Sequence, residues 1–387
     1  MKPIPYGRQD VNETDIQAVI EVLRSDWLTQ GPAVERFERA VADYCGAGFA
    51  VATCNATAAL HLACRALELG PGDMLWTSPN SFVASANCAL YCGAAVDFVD
   101  IDPRTYNMSV EALEDKLTLA EKQGRLPKIV VPVHFAGQAC DMRAIRALAE
   151  RYGFRIIEDA SHAMGGSYHG ERVGSGRYAD ITVFSFHPVK LITTGEGGMA
   201  LTNDSGLARR LQRLRSHGIS REPESMRQAP EGPWCYEQIE LGFNYRLTDI
   251  QAALGLSQLQ RLDGFVERRH ELARRYDALL AGLPVIAPWR HPDAHSAFHL
   301  YVIRLRLDAI SRTRREVFAA LREAGIGVNV HYIPIHTQPY YRQLGFMPGT
   351  FPQAEKYYAA AITLPLHPQL TTEEQDKVCS ALCEAVA

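Results

Sequence analysis

Apolar positions along this chain recur at two different spacings, and their alternation predicts a regular succession of helices and strands. From about Glu13, residues Ile16, Val19, Ile20 and Leu23 repeat at the spacing of one helix face. Apolar runs of strand length then follow near Ala50, Met74, Val96, Ile129, Ile156, Val183 and Met199, separated by helical stretches such as Met142 to Tyr152. This order argues an α/β fold, with a mostly parallel sheet of about seven strands between two layers of helices. The segment Arg221 to Tyr236, rich in Pro, Glu and Gly, reads as a long loop of the kind often used as a lid. A helix from about Thr248, carrying Ile250, Leu254, Leu256 and Leu259, leads into a smaller α+β part. There, strands are expected near Leu300–Ile303 and Ile326–Val330 with a helix between them, and the Thr371-x-x-Glu374 capping pattern opens a last helix. No internal repeat or low-complexity tract interrupts the pattern.

At 387 residues the chain exceeds the size at which one core usually divides, so two domains are expected. The boundaries read as an N-terminal arm over 1–12, a large domain over 13–250 and a small C-terminal domain over 251–387. The net charge of −4, with Lys and Arg spread along the chain, gives no reason to expect nucleic acid as a partner. Arg213, Arg215 and Arg221 gather near His217, where they read either as a local basic patch or as a solvated helix face. Nine cysteines, an odd number with no C-x-x-C pair, make neither a disulfide framework nor a zinc site. Cys88 with Cys92 and Cys379 with Cys383 sit four apart on expected helices, where buried thiols pack as small apolar groups. A reducing, cytoplasmic setting is expected. The start, Met1 to Arg8, lacks a signal-peptide core, and no apolar run approaches the ~18 residues of a membrane span, so no membrane partner is expected.

Three segments change the picture from a fold to a chemistry. Lys190 closes the apolar stretch Val183-Phe184-Ser185-Phe186-His187-Pro188-Val189-Lys190 and is followed by Thr193-Thr194-Gly195-Glu196-Gly197-Gly198. A lysine delivered to the end of a buried run can act as a covalent amine, although a lone lysine in a loop is commonly a solvated charge. Asp159 ends the run Arg155-Ile156-Ile157-Glu158-Asp159, at the carboxyl edge where open parallel sheets bind ligands. An Asp at such a place also often caps its own turn. Phe49 to Thr53 turns through Cys54-Asn55-Ala56-Thr57-Ala58 into a helix, whose first N–H groups and Thr57 hydroxyl form a phosphate cup or, alternatively, a plain N-cap by Asn55 or Thr57. A phosphate cup, an aspartate for a pyridinium nitrogen and a lysine for an aldehyde are together what pyridoxal 5'-phosphate requires.

At this point the chain resembles the aspartate-aminotransferase-like (fold type I) enzymes and, within them, the DegT/DnrJ/EryC1/StrS family of nucleotide-sugar aminotransferases. The resemblance runs from Trp27-Leu28-Thr29-Gln30-Gly31-Pro32 to the C-terminal helix. It is carried by Asn55 to Leu60, Ser81-Phe82-Val83-Ala84-Ser85-Ala86-Asn87, Glu158-Asp159-Ala160-Ser161-His162, the Lys190 stretch, Arg215-Ser216-His217-Gly218 and Gly242-Phe243-Asn244-Tyr245-Arg246-Leu247. The resemblance implies that Lys190 holds the cofactor covalently and then moves the proton between carbon atoms, while Asp159 keeps the pyridine nitrogen protonated. It implies Ser185, Thr57 and Ala58 as phosphate ligands, Phe82, early in its helix, as cover for one ring face, and His162 beside the ring oxygen. Asn244 would reach the phosphate of the neighbouring subunit's cofactor, which implies a homodimer with shared active sites. Asn55-Ala56 stands where Ser-Gly is usual in the family, so the backbone approach there differs. One branch replaces the lysine by histidine and dehydrates sugars; this chain keeps Lys190, which favours transamination, and His187 reads as a packing residue.

Leu28 to Gly31, the Ser81 to Asn87 segment, Ser161-His162-Ala163 and His331-Tyr332-Ile333-Pro334-Ile335 look like the branch that makes UDP-4-amino-4,6-dideoxy-N-acetyl-β-L-altrosamine for pseudaminic acid. That branch implies L-glutamate as donor and a nucleotide-linked keto sugar as acceptor, with another UDP- or dTDP-4-keto-6-deoxy sugar as the alternative. His331, Tyr332 and His336 fit a wall of the sugar pocket better than a metal site, since no carboxylate or cysteine stands at ligand spacing nearby. Tyr6 and Trp27 read either as further wall residues or as packing between domains. Two other classes remain: a fold type I lyase using Cys235, and a regulator that kept the fold, for which no DNA-binding extension exists.

Overall fold

Helices begin where side chains can satisfy their first N–H groups, and these caps fix the expected boundaries. The structure, a computed structural model, describes residues 3–226, 228 and 230–387. Helix α1 (Glu13–Leu23) opens on a capping box in which Asn12 Oδ1 accepts from Asp15 N and Asp15 Oδ2 accepts from Asn12 N. After α2 (Pro32–Cys45) the chain alternates through β1 (Phe49–Thr53), α3 (Ala56–Ala66), β2 (Met74–Thr77), α4 (Ala84–Tyr91), β3 (Ala95–Phe98) and α5 (Val110–Lys122). It continues through β4 (Ile129–Val131), α6 (Met142–Tyr152) and β5 (Arg155–Asp159), then a short hairpin of β6 (Ser167–Tyr168) and β7 (Glu171–Arg172). Next come β8 (Ile181–Ser185), β9 (Gly198–Thr202), α7 (Ser205–Arg215), β10 (Ile219–Ser220), β11 (Glu237–Gln238), α8 (Asp249–Leu259) and α9 (Leu262–Leu279). The C-terminal part holds β12 (Val285–Ile286), β13 (Ala294–His295), β14 (Tyr301–Leu305), α10 (Arg314–Glu323), α11 (Pro339–Gln343), α12 (Pro352–Ala360), β15 (Ala361–Leu364) and α13 (Thr372–Val386).

The seven-stranded sheet runs in the order β1-β9-β8-β5-β4-β2-β3. Pairing is parallel except for β9, which is antiparallel to both β1 and β8. Neighbouring strand residues divide between two cores: Trp76, Val130, Ile156 and Phe184 join one, and Leu75, Val131, Ile157 and Val183 the other. This division is the expected consequence of side chains alternating on a sheet covered on both faces. Phe37 of α2, Leu113 of α5 and Ile145 of α6 close the first core, and Leu60 of α3, Ala86 of α4 and Leu211 of α7 close the second. All the parallel strands therefore end at one edge, where the Asp159 and Ser185 ends meet the start of β9.

The smaller part is a three-stranded antiparallel sheet, β12-β14-β15, with α9, α10 and α13 packed around Tyr276, Tyr301, Val317 and Leu382. The N-terminal arm straps onto it: Ile4 is buried in that core, and Leu366 N donates to Tyr6 O at 2.9 Å. The expected boundary at 250/251 falls inside α8, which lies along α1 and α2. Asp15 of α1 is fully buried there and accepts from Ser257 Oγ, Gln258 Nε2 and Arg261.

Several local expectations change. Residues 326–330 form isolated bridges instead of a strand, because the arm crosses at Gly327: Ile326 pairs with Ile4, and Asn329 with Thr363. The 221–236 loop is closed at its base by pairing of β10 with β11. Arg215 reaches inward to Glu38 and Ala52 O, and Arg213 pairs with Glu240, so these two cations serve internal contacts. Cys383 is exposed, unlike the expected buried thiol, since it lies on the outer side of α13 while Cys379 faces the core.

One close approach secures the sheet edge. A Cβ at Gly198 would lie 2.4 Å from Asn55 C and 2.5 Å from Ala56 N, main-chain atoms that cannot swing aside. Gly198→Ala is expected to cost about 1–3 kcal/mol, read as a lower urea midpoint. An unchanged midpoint would show that the turn before α3 does not rest on β9.

Candidate active site

The carboxyl edge of the sheet opens into a cavity of about 600 Å³. Among its lining residues are Lys190, Asp159, His162, Ser185, Thr57 and Phe82, together with Tyr6, His331 and Tyr332. Strand β8 ends at Ser185, so Lys190 stands in the turn beyond it, not at the strand end. That turn is tied by Lys190 N to His187 O at 2.8 Å and closed by Phe186 N to Gly197 O at 2.9 Å. The Lys190 side chain is half-buried and lines the cavity. Burial pushes its pKa down to about 8, against the upward pull of the Asp159 carboxylate. Among the described residues its Nζ has no hydrogen-bond or ion-pair partner.

Asp159 is buried and held by donors on both oxygens. Ser161 Oγ donates to Oδ1 at 2.6 Å with Ser161 N at 3.2 Å, and Ser85 Oγ donates to Oδ2 at 2.6 Å. Its main chain is fixed by Asp159 N to Pro132 O and His134 N to Asp159 O. The sequence gave no sign of Ser85's role, because its partner Asp159 lies 74 residues away.

His162 is buried, and Ala136 N donates to its Nδ1 at 3.3 Å. That amide leaves the proton on Nε2, which donates to Tyr332 Oη at 3.0 Å. Burial, with the Lys190 charge and neighbouring His331 adding to it, holds His162 well below its ordinary pKa, so the ring is neutral. His331 is pushed down to about 3 by burial and Lys190, and its Nδ1 lies 2.7 Å from Thr363 Oγ1. Tyr6 stacks obliquely on His331, ring centres 5.4 Å apart. His299 and Asn329 complete this wall and were also missed, having no motif of their own.

Other expected site residues lie elsewhere. Ala58 does not line the cavity, and its N–H donates to Asn55 Oδ1 at 2.8 Å, so the N-cap has taken that donor. The remaining first-turn N–H groups of α3 have no intrahelical acceptor. Phe82 precedes α4 by two residues, in a turn and not early in the helix, and is 59% exposed. Trp27 lines a separate groove between α1 and α8. Asn244 is exposed, bridging to Ser216 outside the cavity. His336 turns away to pair with Glu355 at 2.9 Å beside Phe351. Among the described residues no group of three or more His, Cys, Asp or Glu is arranged to hold a metal.

An unpartnered amine, a fixed carboxylate and a helix N-terminus converging on one cavity match the needs of pyridoxal phosphate, whose aldehyde, ring nitrogen and phosphate ask for these groups. The architecture is that of fold type I pyridoxal phosphate enzymes. The chain belongs to the DegT/DnrJ/EryC1/StrS aminotransferase family, whose profile matches residues 9–383. It is 41% identical to the spore coat polysaccharide biosynthesis protein SpsC of Bacillus subtilis, over 99% of this chain and 97% of that protein. Helicobacter pylori PseC, described as an aminotransferase of pseudoaminic acid biosynthesis, superposes with a TM-score of 0.90 at 32% identity, covering 100% of this chain and 99% of PseC. A putative sugar aminotransferase of Streptococcus pneumoniae in its PLP form gives a TM-score of 0.89 at 32% identity, over 99% of this chain and 98% of that one. The chain is thus a pyridoxal phosphate-dependent sugar aminotransferase.

The lowered pKa of Lys190 makes a signed prediction. Its folded value lies below its unfolded one, so the free amine appears as pH rises through about 8. Covalent uptake of pyridoxal phosphate by apoprotein, followed by absorbance, is expected to accelerate with a midpoint near pH 8. A midpoint near the ordinary lysine value of about 10.4 would contradict the enclosure of the amine.

Proposed function

We propose that the enzyme moves the amino group of L-glutamate to C4 of a UDP-linked 4-keto-6-deoxy-N-acetylhexosamine. The product would be UDP-4-amino-4,6-dideoxy-N-acetyl-β-L-altrosamine, on the route to pseudaminic acid. The observation that carries transamination is the enclosed, unpartnered Lys190 amine beside Asp159. The likeness to PseC supports the choice of acceptor. The greater identity to SpsC favours a second reading, another nucleotide-linked 4-keto-6-deoxy sugar destined for a surface polysaccharide.

Pyridoxal phosphate, when bound, supplies an aldehyde carbon and an electron-accepting ring. Lys190 would hold the group through Nζ, and the same amine, when free, would carry the proton from the α-carbon of glutamate to the neighbouring carbon. Asp159 would accept from the ring N–H and so keep the proton on the nitrogen. Ser185, Thr57 and the first turn of α3 would take the phosphate. His162, whose Nε2–H donates to Tyr332 Oη, would stand beside the ring oxygen, and Phe82 at the cavity mouth would cover the ring. Tyr6, His331 and Tyr332 form the wall that meets the sugar.

The proposal includes a homodimer with shared sites in the cytoplasm. Asn244 is exposed and lies outside its own cavity, as a residue reaching the neighbouring subunit's cofactor must. Leu28 at 48% and Leu241 at 71% exposure extend the apolar surface that a second copy would cover. The nine cysteines are all free, which suits a reducing compartment.

L-glutamate added to the loaded protein should convert the absorbance of the lysine-bound cofactor to that of the pyridoxamine form, and Lys190→Ala should abolish both the starting band and turnover. Retained turnover in Lys190→Ala would sink the assignment. Nuclear magnetic resonance of the aminated sugar would then decide between the two acceptors.

A further inference from the structure

The segment Ser81-Phe82-Val83-Ala84-Ser85-Ala86-Asn87 carries one of the family signatures, and apart from Phe82 and the contact of Ser85 with Asp159 its residues have no place in the chemistry described so far. Its other polar residues point in defined directions. Ser85 is 1% exposed and Ser81 3%, and their hydroxyl oxygens lie 2.7 Å apart. Ser85 Oγ also lies 2.6 Å from Asp159 Oδ2, an acceptor with no proton to give as a carboxylate. The hydroxyl of Ser85 must therefore donate to Asp159, which leaves its lone pair to accept from Ser81. The hydrogens run in one direction, from Ser81 to Ser85 to Asp159.

We propose that Ser85, backed by Ser81, is a positioning residue that sets the plane of the Asp159 carboxylate toward the pyridine nitrogen of the cofactor. This rests on the reading of Asp159 as the partner of that nitrogen. Two donors divide the work. Ser161, two residues on, holds Oδ1 in a local turn that any Asp-x-Ser can make, and this restrains only one oxygen. Ser85 comes from α4, 74 residues away in sequence, and holds the other. With both oxygens fixed from different elements, rotation of the carboxylate is blocked and its remaining lone pairs keep one direction.

Local bonds hold the turn into α4, and one long-range bond anchors the helix itself. Ser85 N donates to Phe82 O at 3.3 Å, and Cys88 Sγ donates to Ser85 O at 3.3 Å. Asn87 Oδ1 accepts from Tyr341 Oη of α11 at 2.6 Å. The spacing of the segment now has a physical account: positions 81 and 85 hold the carboxylate, position 87 anchors the helix, and position 82 enters the cavity.

The test compares Ser85→Ala, Ser85→Thr and Asp159→Asn as loaded enzymes, with Ser85→Cys in place of Ser85→Ala should the latter fail to fold. The readouts are loss of pyridoxal phosphate on dialysis, the visible spectrum across pH, and the rate of the glutamate half-reaction at saturation against its KM. A hydrogen bond to a charged group is worth enough that Ser85→Ala should slow the half-reaction about tenfold and speed cofactor loss. Glutamate KM should stay within about twofold, because the pocket wall is untouched. Ser85→Thr, which keeps the hydroxyl, should recover most of the rate and the wild-type spectrum. If Asp159→Asn changes all three readouts and Ser85→Ala changes none, the positioning role is wrong while the reading of Asp159 stands. If Asp159→Asn itself leaves them unchanged, the reading of Asp159 falls, and this inference with it.

Discussion

Enclosing an amine carries a cost that the surrounding fold must offset, and the arrangement around Lys190 follows from that constraint. Protein disfavours the charged form, so the lysine tends to lose its proton or to leave. Leaving is prevented by the single antiparallel strand. Because β9 returns directly beside β8, the segment between them is a loop closed at its base by Phe186 N to Gly197 O and Thr194 N to Phe186 O. Gln251 Nε2 of α8 ties the far side to Glu196 O at 2.8 Å. A wholly parallel sheet would have needed a long crossover here, with the amine on a much less restrained segment.

The same return strand positions the phosphate end of the site. Gly198 opposes both Thr53 of β1 and Ser185 of β8, and its missing side chain lets the Asn55-Ala56 main chain lie against the sheet. The ring end is held by a backbone amide and, behind it, a buried histidine–glutamate ion pair. The Ala136 amide fixes the His162 tautomer, and the 134–140 turn carrying it is pinned by His134 Nε2 to Glu158 Oε1 at 2.8 Å. Glu158 and Asp159 are neighbours on β5 and point to opposite faces, one supporting the turn and the other facing the cavity.

Chemistry that depends on neighbours in sequence was legible before the fold. Lys190, Asp159 and Ser185 sit at the ends of apolar runs, and the parallel sheet brings all such ends together. The capped start of α13 was legible for the same local reason, from the Thr371-x-x-Glu374 pattern. What stayed hidden depends on distant pairing: Ser85 meets Asp159, and Tyr332 meets His162 across 170 residues of sequence. Ala58 was misjudged because an Asn N-cap and a phosphate compete for the same N–H, and sequence shows only that both are able to take it. Asn244, expected at the neighbouring subunit's cofactor, and Trp27 both lie outside the cavity that their own chain forms. The strand expected at 326–330 gave way to the N-terminal arm, a partner more than 300 residues distant in sequence.

The central claim is that one enclosed amine carries the cofactor. Borohydride reduction of the protein loaded with pyridoxal phosphate, followed by proteolysis and mass spectrometry, locates that amine directly. The account predicts a phosphopyridoxyl group on Lys190 and on no other lysine. A label elsewhere, or no label on a protein that holds the cofactor, would contradict it.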